Sequence, residues 1–284
     1  MSSEALVQLA TRIGANAVPI FLCLLVVLLT LVAAIAWALR ALRERLKPAV
    51  QGRLQPAGAV LLYGAAGFAL VLGAALLFAE IAEHHGPGGA MARADAALAE
   101  SIRVHVNPVI LRAFAIVTHF GDVLSMTVLG VVVAALLWQR RQPALALGWV
   151  LAVGGNALLN PMLKRVFERV RPVHDHGLVG ELGWSFPSGH TSSATVAYGM
   201  LAYLAVRTLA PRWHLPAVLA AAALAFSVGC SRIFLQVHFA SDVAAGFASG
   251  TAWLTVCIAS VELGRRYAHR GQRRHPRHPA GPSR

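Results

Sequence analysis

Between Gln142 and Leu163 the chain reads QPALALGWVLAVGGNALLNPML, 22 residues without a charge. At 1.5 Å per residue a helix of that length covers about 33 Å, enough for a hydrocarbon core of roughly 30 Å. Similar charge-free runs lie on both sides. Ile13–Leu39, Leu54–Ala79 and Val123–Gln139 precede it; Thr191–Val206, Leu215–Ser231 and Val243–Val261 follow. Some are short for a full crossing, and their ends can extend into flanks that face protein or water. Of the 284 residues 57% are hydrophobic and 13% charged, with a mean hydropathy of +0.62. Soluble domains carry about a quarter charged residues. The composition excludes disorder and nucleic-acid binding as the main theme, argues against a soluble enzyme and predicts an all-α, polytopic membrane helix bundle.

The net charge is +13, from 25 Lys+Arg against 12 Asp+Glu. Sixteen of the 25 fall in four places: Arg40–Arg53, Arg140–Arg141, Arg207–Arg212 and Arg265–Arg284. Alternating connections of seven spans put all four on the cytoplasmic side if the N-terminus lies outside. The basic excess therefore reads as orientation and lipid contact, with no nucleic-acid partner. The first run is too long for a signal peptide, and cleavage would leave the basic stretch after it outside, so a retained anchor is expected. The expected units are residues 1–53 (anchor and basic cytoplasmic loop), 54–263 (six-span core, with an outer-face loop at 80–122) and 264–284 (a basic, disordered cytoplasmic tail). Within the outer loop, Ala90–Val117 predicts a helix, either lying at the membrane surface or packing on the outer face of the bundle. Cys23, Cys230 and Cys257 match no disulfide or zinc spacing and read as inert buried thiols.

Three polar clusters fall at the outer ends of spans four to seven. The first is Lys164-Arg165-Val166-Phe167-Glu168-Arg169-Val170-Arg171-Pro172. Lys164 and Arg171 are two helical turns apart and share a face if the helix continues, though Pro172 marks its end nearby. The second, Trp184 to Ser192, holds Pro187-Ser188-Gly189-His190 at the start of an apolar helix. Ser188 suits the N-cap, Gly189 permits close backbone approach, and the helix N-terminus favours an anion. The third runs from Ser231-Arg232 to His238 and Asp242, a four-residue spacing that a helix would place on one face. An aspartate on one ring nitrogen leaves the other for nucleophilic or base chemistry. Lys164, Arg171 and Arg232 with a helix N-terminus make a pocket for a multiply charged anion, and arginine forks match phosphate. His238 suits a nucleophile; His190, with no carboxylate nearby in sequence, suits an acid. Carboxylates are too few here for a two-metal site.

These residues resemble the type 2 phosphatidic acid phosphatase family of membrane lipid phosphatases. Lys164 through Arg171-Pro172 is similar to its K-x6-R-P motif, Pro187–His190 to P-S-G-H, and Ser231-Arg232 through His238 to Asp242 to S-R-x5-H-x3-D. All three are complete and in order. The resemblance implies a six-helix core to which span one is an addition. It implies His238 as a nucleophile forming a phosphohistidine, Asp242 as its orienter, and His190 as the acid that protonates the leaving oxygen and then activates water. Lys164, Arg171, Ser188, Gly189 and Arg232 would bind phosphate, with no metal or other cofactor. The implied partner is a lipid phosphate or diphosphate within membrane lipids, and no protein partner is implied. Undecaprenyl diphosphate is the first candidate, followed by phosphatidylglycerol phosphate, phosphatidic acid and lipid A phosphate. In a bacterium the site would face the periplasm from the inner membrane. His174, Asp175 and His176, outside the motifs, read as loop residues, with tuning of the pH response as a second reading. Three other readings are weighed. A transferase would pass the phosphate to a lipid acceptor. A lipid or anion transporter leaves the His238/Asp242 spacing unexplained. A vanadium-dependent haloperoxidase, sharing the anion motifs, sits poorly with seven apolar runs.

Overall fold

The structure, a computed structural model, describes residues 2–53, 56–84, 86, 88–172, 177–180 and 183–274, with the backbone alone at 43, 45–53, 56–63 and 266–274. Ten α-helices account for nearly all of it, and no strand occurs among the described residues. They are α1 (Ser3–Ala15), α2 (Ala17–Arg53), α3 (Pro56–His84), α4 (Ala90–His105), α5 (Pro108–Thr118), α6 (Val123–Gln139), α7 (Pro143–Phe167), α8 (Gly189–Thr208), α9 (His214–Phe234) and α10 (Ala240–Arg274).

Over the described residues the expected apolar runs are helical, the first broken at Asn16, but they are not equivalent. Among the described residues five helices are long and apolar enough to cross a bilayer: α2, α3, α7, α9 and α10. The count becomes six if the bent pair α4/α5 is one crossing. α6 has 17 residues, short of a full crossing. α8, the expected span Thr191–Val206, is not among the helices long and apolar enough to cross. The reason is its position. α8 packs against α7, α9 and α10, and its Thr191, Ser192 and Ala194 are buried. A helix surrounded by protein can carry hydroxyls that lipid would exclude. Glycines let α10 close on α7 and α8: a Cβ on Gly155 would meet Trp253, and one on Gly199 would meet Leu254, both at 2.3 Å. The core between these helices centres on Trp149, Ala152, Val196, Met200 and Val228.

The N-terminal part departs from expectation. The first apolar run is preceded by a separate helix, α1, capped by Ser2 and packed on α4. α2 sits at the periphery with its apolar residues outward, touching the bundle through Phe21 against Phe114, Phe226 and Phe234. Cys23 on α2 is exposed, not buried as expected. The single surface helix expected over Ala90–Val117 is instead two helices at 119°. Asn107 caps the second and Pro108 begins it, a combination that starts a new helix and cannot continue the old one. The basic loop expected after the first span is helical backbone to Arg53. The expected tail is likewise helical from Gly264 to Arg274, because α10 runs on without a breaker; positions 275–284 lie outside the described residues.

Candidate active site

The three motifs converge through loops. α7 ends at Phe167, and Glu168 turns the chain in a left-handed conformation (φ 43°). Arg171 is therefore off the helix and does not share a helical face with Lys164 as expected. The two meet all the same. Lys164 Nζ donates to the Trp184 carbonyl at 2.9 Å, and Arg171 Nη2 donates to the same oxygen at 3.2 Å. Arg171 Nη1 reaches the Val237 carbonyl at 2.8 Å and His238 Nε2 at 3.0 Å.

Phe186 anchors the second loop, buried between Phe78 of α3 and Phe167 of α7. This fixes the start of α8. Ser188 is its N-cap, as expected, with Oγ accepting from Thr191 N and Thr191 Oγ1. Its own N–H donates to the Asp242 carbonyl at 3.0 Å. Gly189 does permit a close approach, but by Asn160: a Cβ there would lie 2.9 Å from Asn160 Oδ1. Gly121 plays the same part for His190, whose Cδ2 would be 3.1 Å from an added Cβ.

The third motif is also a turn. α9 ends at Phe234, Gln236 is left-handed (φ 51°), and the N–H groups of Val237 and His238 return to the Arg232 carbonyl at 3.2 Å. His238 thus precedes α10, so the shared helical face expected for it and Asp242 does not exist. Their side chains still meet: His238 Nδ1 lies 3.5 Å from Asp242 Oδ2, with Ser185 Oγ between them. That hydroxyl donates to Asp242 Oδ2 at 2.5 Å and is 3.2 Å from Nδ1, so it accepts the ring N–H. The Phe239 N–H also donates to Asp242 Oδ2, at 2.9 Å. Arg232 is buried, with Nη1 donating to Thr118 Oγ1. Burial drives the His238 imidazole down to about 3; Asp242 opposes the shift and the positive charges of Arg171 and Arg232 reinforce it. The ring is neutral, its Nε2 turned toward Arg171.

Several contributors come from far along the chain. His190, expected to lack a carboxylate partner, has Asp122: Nε2 lies 2.7 Å from Asp122 Oδ1. The other oxygen of Asp122 is 2.6 Å from His119 Nδ1. Partial burial pushes the Asp122 carboxyl up, but hydrogen bonds from the two imidazoles outweigh it and hold the group below its ordinary value. Arg169, unremarked within the first motif, is nearly buried between Asp242 Oδ1 at 2.7 Å and Asp95 Oδ2 of α4 at 2.9 Å. It also stacks on Phe239, 4.3 Å from the ring centroid, and Ser241 closes the group by hydrogen bonds to Asp95. A composition signal existed for Asp95 and Asp122, since aspartates are scarce in this chain. No local spacing named their partners.

A groove of about 590 Å³ opens from this site between α6, α7 and α8. Lys164, Gly189 and His190 stand at one end and Trp149 at the other, roughly 22 Å away along α7. Its walls are mostly aliphatic, with Met126, Val131, Val153 and Val196 among them. His174, Asp175 and His176 lie outside the described residues.

Residues 143–266 match the model of the PAP2 superfamily. Phosphatidylglycerophosphatase B of Bacillus subtilis (strain 168) is 34% identical over 169 residues, covering 57% of this chain and 80% of the relative. The chain belongs to the PAP2 superfamily of membrane lipid phosphatases. It is an enzyme of that phosphatase class. A solved PAP2 relative, the transmembrane phosphatidylglycerolphosphate phosphatase from Bacillus subtilis, superposes with a TM-score of 0.64 at 31% identity. It covers 69% of this chain and 98% of its own, so this PAP2 chain is an integral membrane protein. A decaprenylphosphoryl-5-phosphoribose phosphatase of Mycobacterium tuberculosis (strain CDC 1551 / Oshkosh) is 33% identical over 159 residues, 54% of this chain and 81% of that one. A lipid A 1-phosphatase of Rhizobium johnstonii is 33% identical over 137 residues, with only 52% of its length matched.

Proposed function

We propose that this PAP2 protein hydrolyses a lipid phosphate or diphosphate through a phosphohistidine on His238, without a metal ion. One observation carries the proposal. The buried, neutral His238 is backed on Nδ1 by Ser185 and Asp242 while Nε2 points at Arg171. That is the arrangement of an imidazole nucleophile beside an anion-binding cation.

In the first step Nε2 attacks phosphorus and the bond to the lipid oxygen breaks. Positive charge that develops on the ring is stabilised by Asp242 through the Ser185 hydroxyl. His190, held by Asp122, gives its proton to the leaving oxygen, and the lipid alcohol departs, or the lipid monophosphate where the substrate is a diphosphate. In the second step His190 takes a proton from water, the hydroxide attacks phosphorus, and the P–N bond breaks to release inorganic phosphate. Lys164, Arg171 and Arg232, with the N–H groups at the start of α8, hold the phosphoryl oxygens while their charge redistributes. Ser188 serves mainly by fixing that helix start. The groove between α6, α7 and α8 takes the hydrocarbon tail and lets it enter from the bilayer.

The distribution of Lys and Arg supports placing the site on the outer face, periplasmic in a bacterial inner membrane, with the basic C-terminus inside; seven crossings then require that the short α6 and the protein-enclosed α8 also cross. Purified enzyme in detergent is expected to release phosphate from a lipid phosphate in the presence of EDTA. His238→Ala abolishes this release, and wild type yields an acid-labile phosphoprotein on rapid quenching. Full activity of His238→Ala removes the nucleophile from the scheme.

A further inference from the structure

The groove that leads from the site is not uniformly apolar. Asn160 and Asn156 of α7 stand one and two helical turns from Lys164 on the groove wall, about 6 and 12 Å along the axis. Both are more than nine-tenths buried, with 8% and 3% exposure. Their amide nitrogens are committed across to α8. Asn160 Nδ2 donates to Ser192 Oγ at 3.2 Å, and Asn156 Nδ2 donates to Ser193 Oγ at 3.1 Å and Ser192 Oγ at 3.4 Å. Among the described residues no donor reaches either amide oxygen. Pro161, on the same wall, has no N–H to give to the carbonyl of Ala157 one turn below. The groove therefore presents acceptors to its occupant just beyond the place of the phosphate.

Both oxygens lack a donor without being sealed off; an occupant that covered such an acceptor without supplying a donor would lose about 1–3 kcal/mol, so the occupant that fits is one that brings donors. A polyprenyl chain has none. A diacylglycerol has ester oxygens, which only accept. A polyol or sugar has hydroxyl groups within a few bonds of its phosphoester oxygen.

We propose that Asn156 and Asn160 form a polar step in the lipid groove that selects phosphate esters whose leaving alcohol carries a hydroxyl or amide N–H, in preference to polyprenyl diphosphates and phosphatidic acid. This rests on the phosphatase reading above and names its substrate class. It moves the expected substrate away from undecaprenyl diphosphate.

The test is a comparison of three probes on the purified protein in detergent: an acylglycerol phosphate with a free hydroxyl, its deoxy analogue with the same chain, and a polyprenyl diphosphate. Wild type is expected to favour the hydroxyl-bearing probe over the deoxy analogue by about 10-fold in kcat/KM, the effect of one buried hydrogen bond. Asn156→Leu and Asn160→Leu, made separately, are each expected to bring that ratio down toward 1. A ratio of two rates does not depend on how much of a variant folds. A wild-type ratio near 1, or one that both variants leave intact, overturns the polar step and leaves the phosphatase reading standing. Release from none of the three probes overturns both.

Discussion

Replacing Asp122 by Asn isolates the acid half of the proposed chemistry. The substitution keeps shape and removes charge from a carboxylate 2.7 Å from His190 Nε2. It should not disturb the start of α6, because Asp122 stands at the N-cap position without a side-chain capping bond. A charge-assisted hydrogen bond contributes about 1.5–3 kcal/mol. Asp122 is 35% exposed and His190 14%, so solvent screening removes roughly half of that. About 0.8–1.5 kcal/mol remains, whose upper end is near 10-fold in rate. The loss should depend on the leaving group. An alkyl phosphate such as a lipid ester needs a proton on its departing oxygen, whereas an aryl phosphate expels a stable phenolate without one. Asp122→Asn is therefore expected to slow the alkyl substrate up to about 10-fold and the aryl substrate less than twofold, measured as kcat with detergent and protein fixed. His190→Ala should show the same selectivity with a larger loss, about 100-fold or more on the alkyl substrate. An equal loss on both substrates would mean that Asp122 merely supports the fold, and no loss on the alkyl substrate would remove it from the mechanism.

Ser185→Ala takes away the hydroxyl between His238 Nδ1 and Asp242; kcat is expected to fall about 10-fold with KM little changed, and slower phosphoenzyme formation in rapid-quench experiments checks it. Arg169→Met leaves the carboxylates of Asp95 and Asp242 buried without their shared cation, which costs about 3–5 kcal/mol; its melting temperature in detergent should drop well below that of Arg165→Met, at an exposed site. The pH dependence of stability follows from His238. Its folded value, about 3, lies below the unfolded 6.5, so the unfolded chain takes up the proton first as pH falls. The stability contribution is whole above pH 6.5 and declines from there toward pH 3. Wild type should thus lose thermal stability more steeply over that interval than His238→Gln, and parallel curves would contradict the buried neutral ring.

The helices were legible because charge-free runs of this length have few alternatives to crossing or lining a membrane. The break at Asn107-Pro108 was equally legible as a cap followed by proline, but the near-helical spacing of Ala90–Val117 masked it. α1 was not, since an amphipathic segment of 13 residues beside a long apolar run reads as its flank. The core motifs were found by residue type and spacing, yet the geometry assumed for two of them was wrong. Left-handed residues at Glu168 and Gln236 end each helix early, and neither is a glycine that would have announced the turn. The supporting residues stayed hidden for another reason. Ser185 meets Asp242 across 57 positions, His190 meets Asp122 across 68, and Asp95 meets Ser241 across 146. Pairings over such separations are made by the fold and leave no local pattern.

The salt link from α4 through Arg169 to Asp242 has a mechanical consequence. It ties α4 to the very carboxylate that backs the proposed nucleophile, so α4 behaves as a keystone and not as a door. Lifting it to admit a guest from above would unseat the machinery meant to receive that guest. In the proposed scheme the lipid therefore comes sideways out of the bilayer, sliding along the wall of α7 while α4 stays in place.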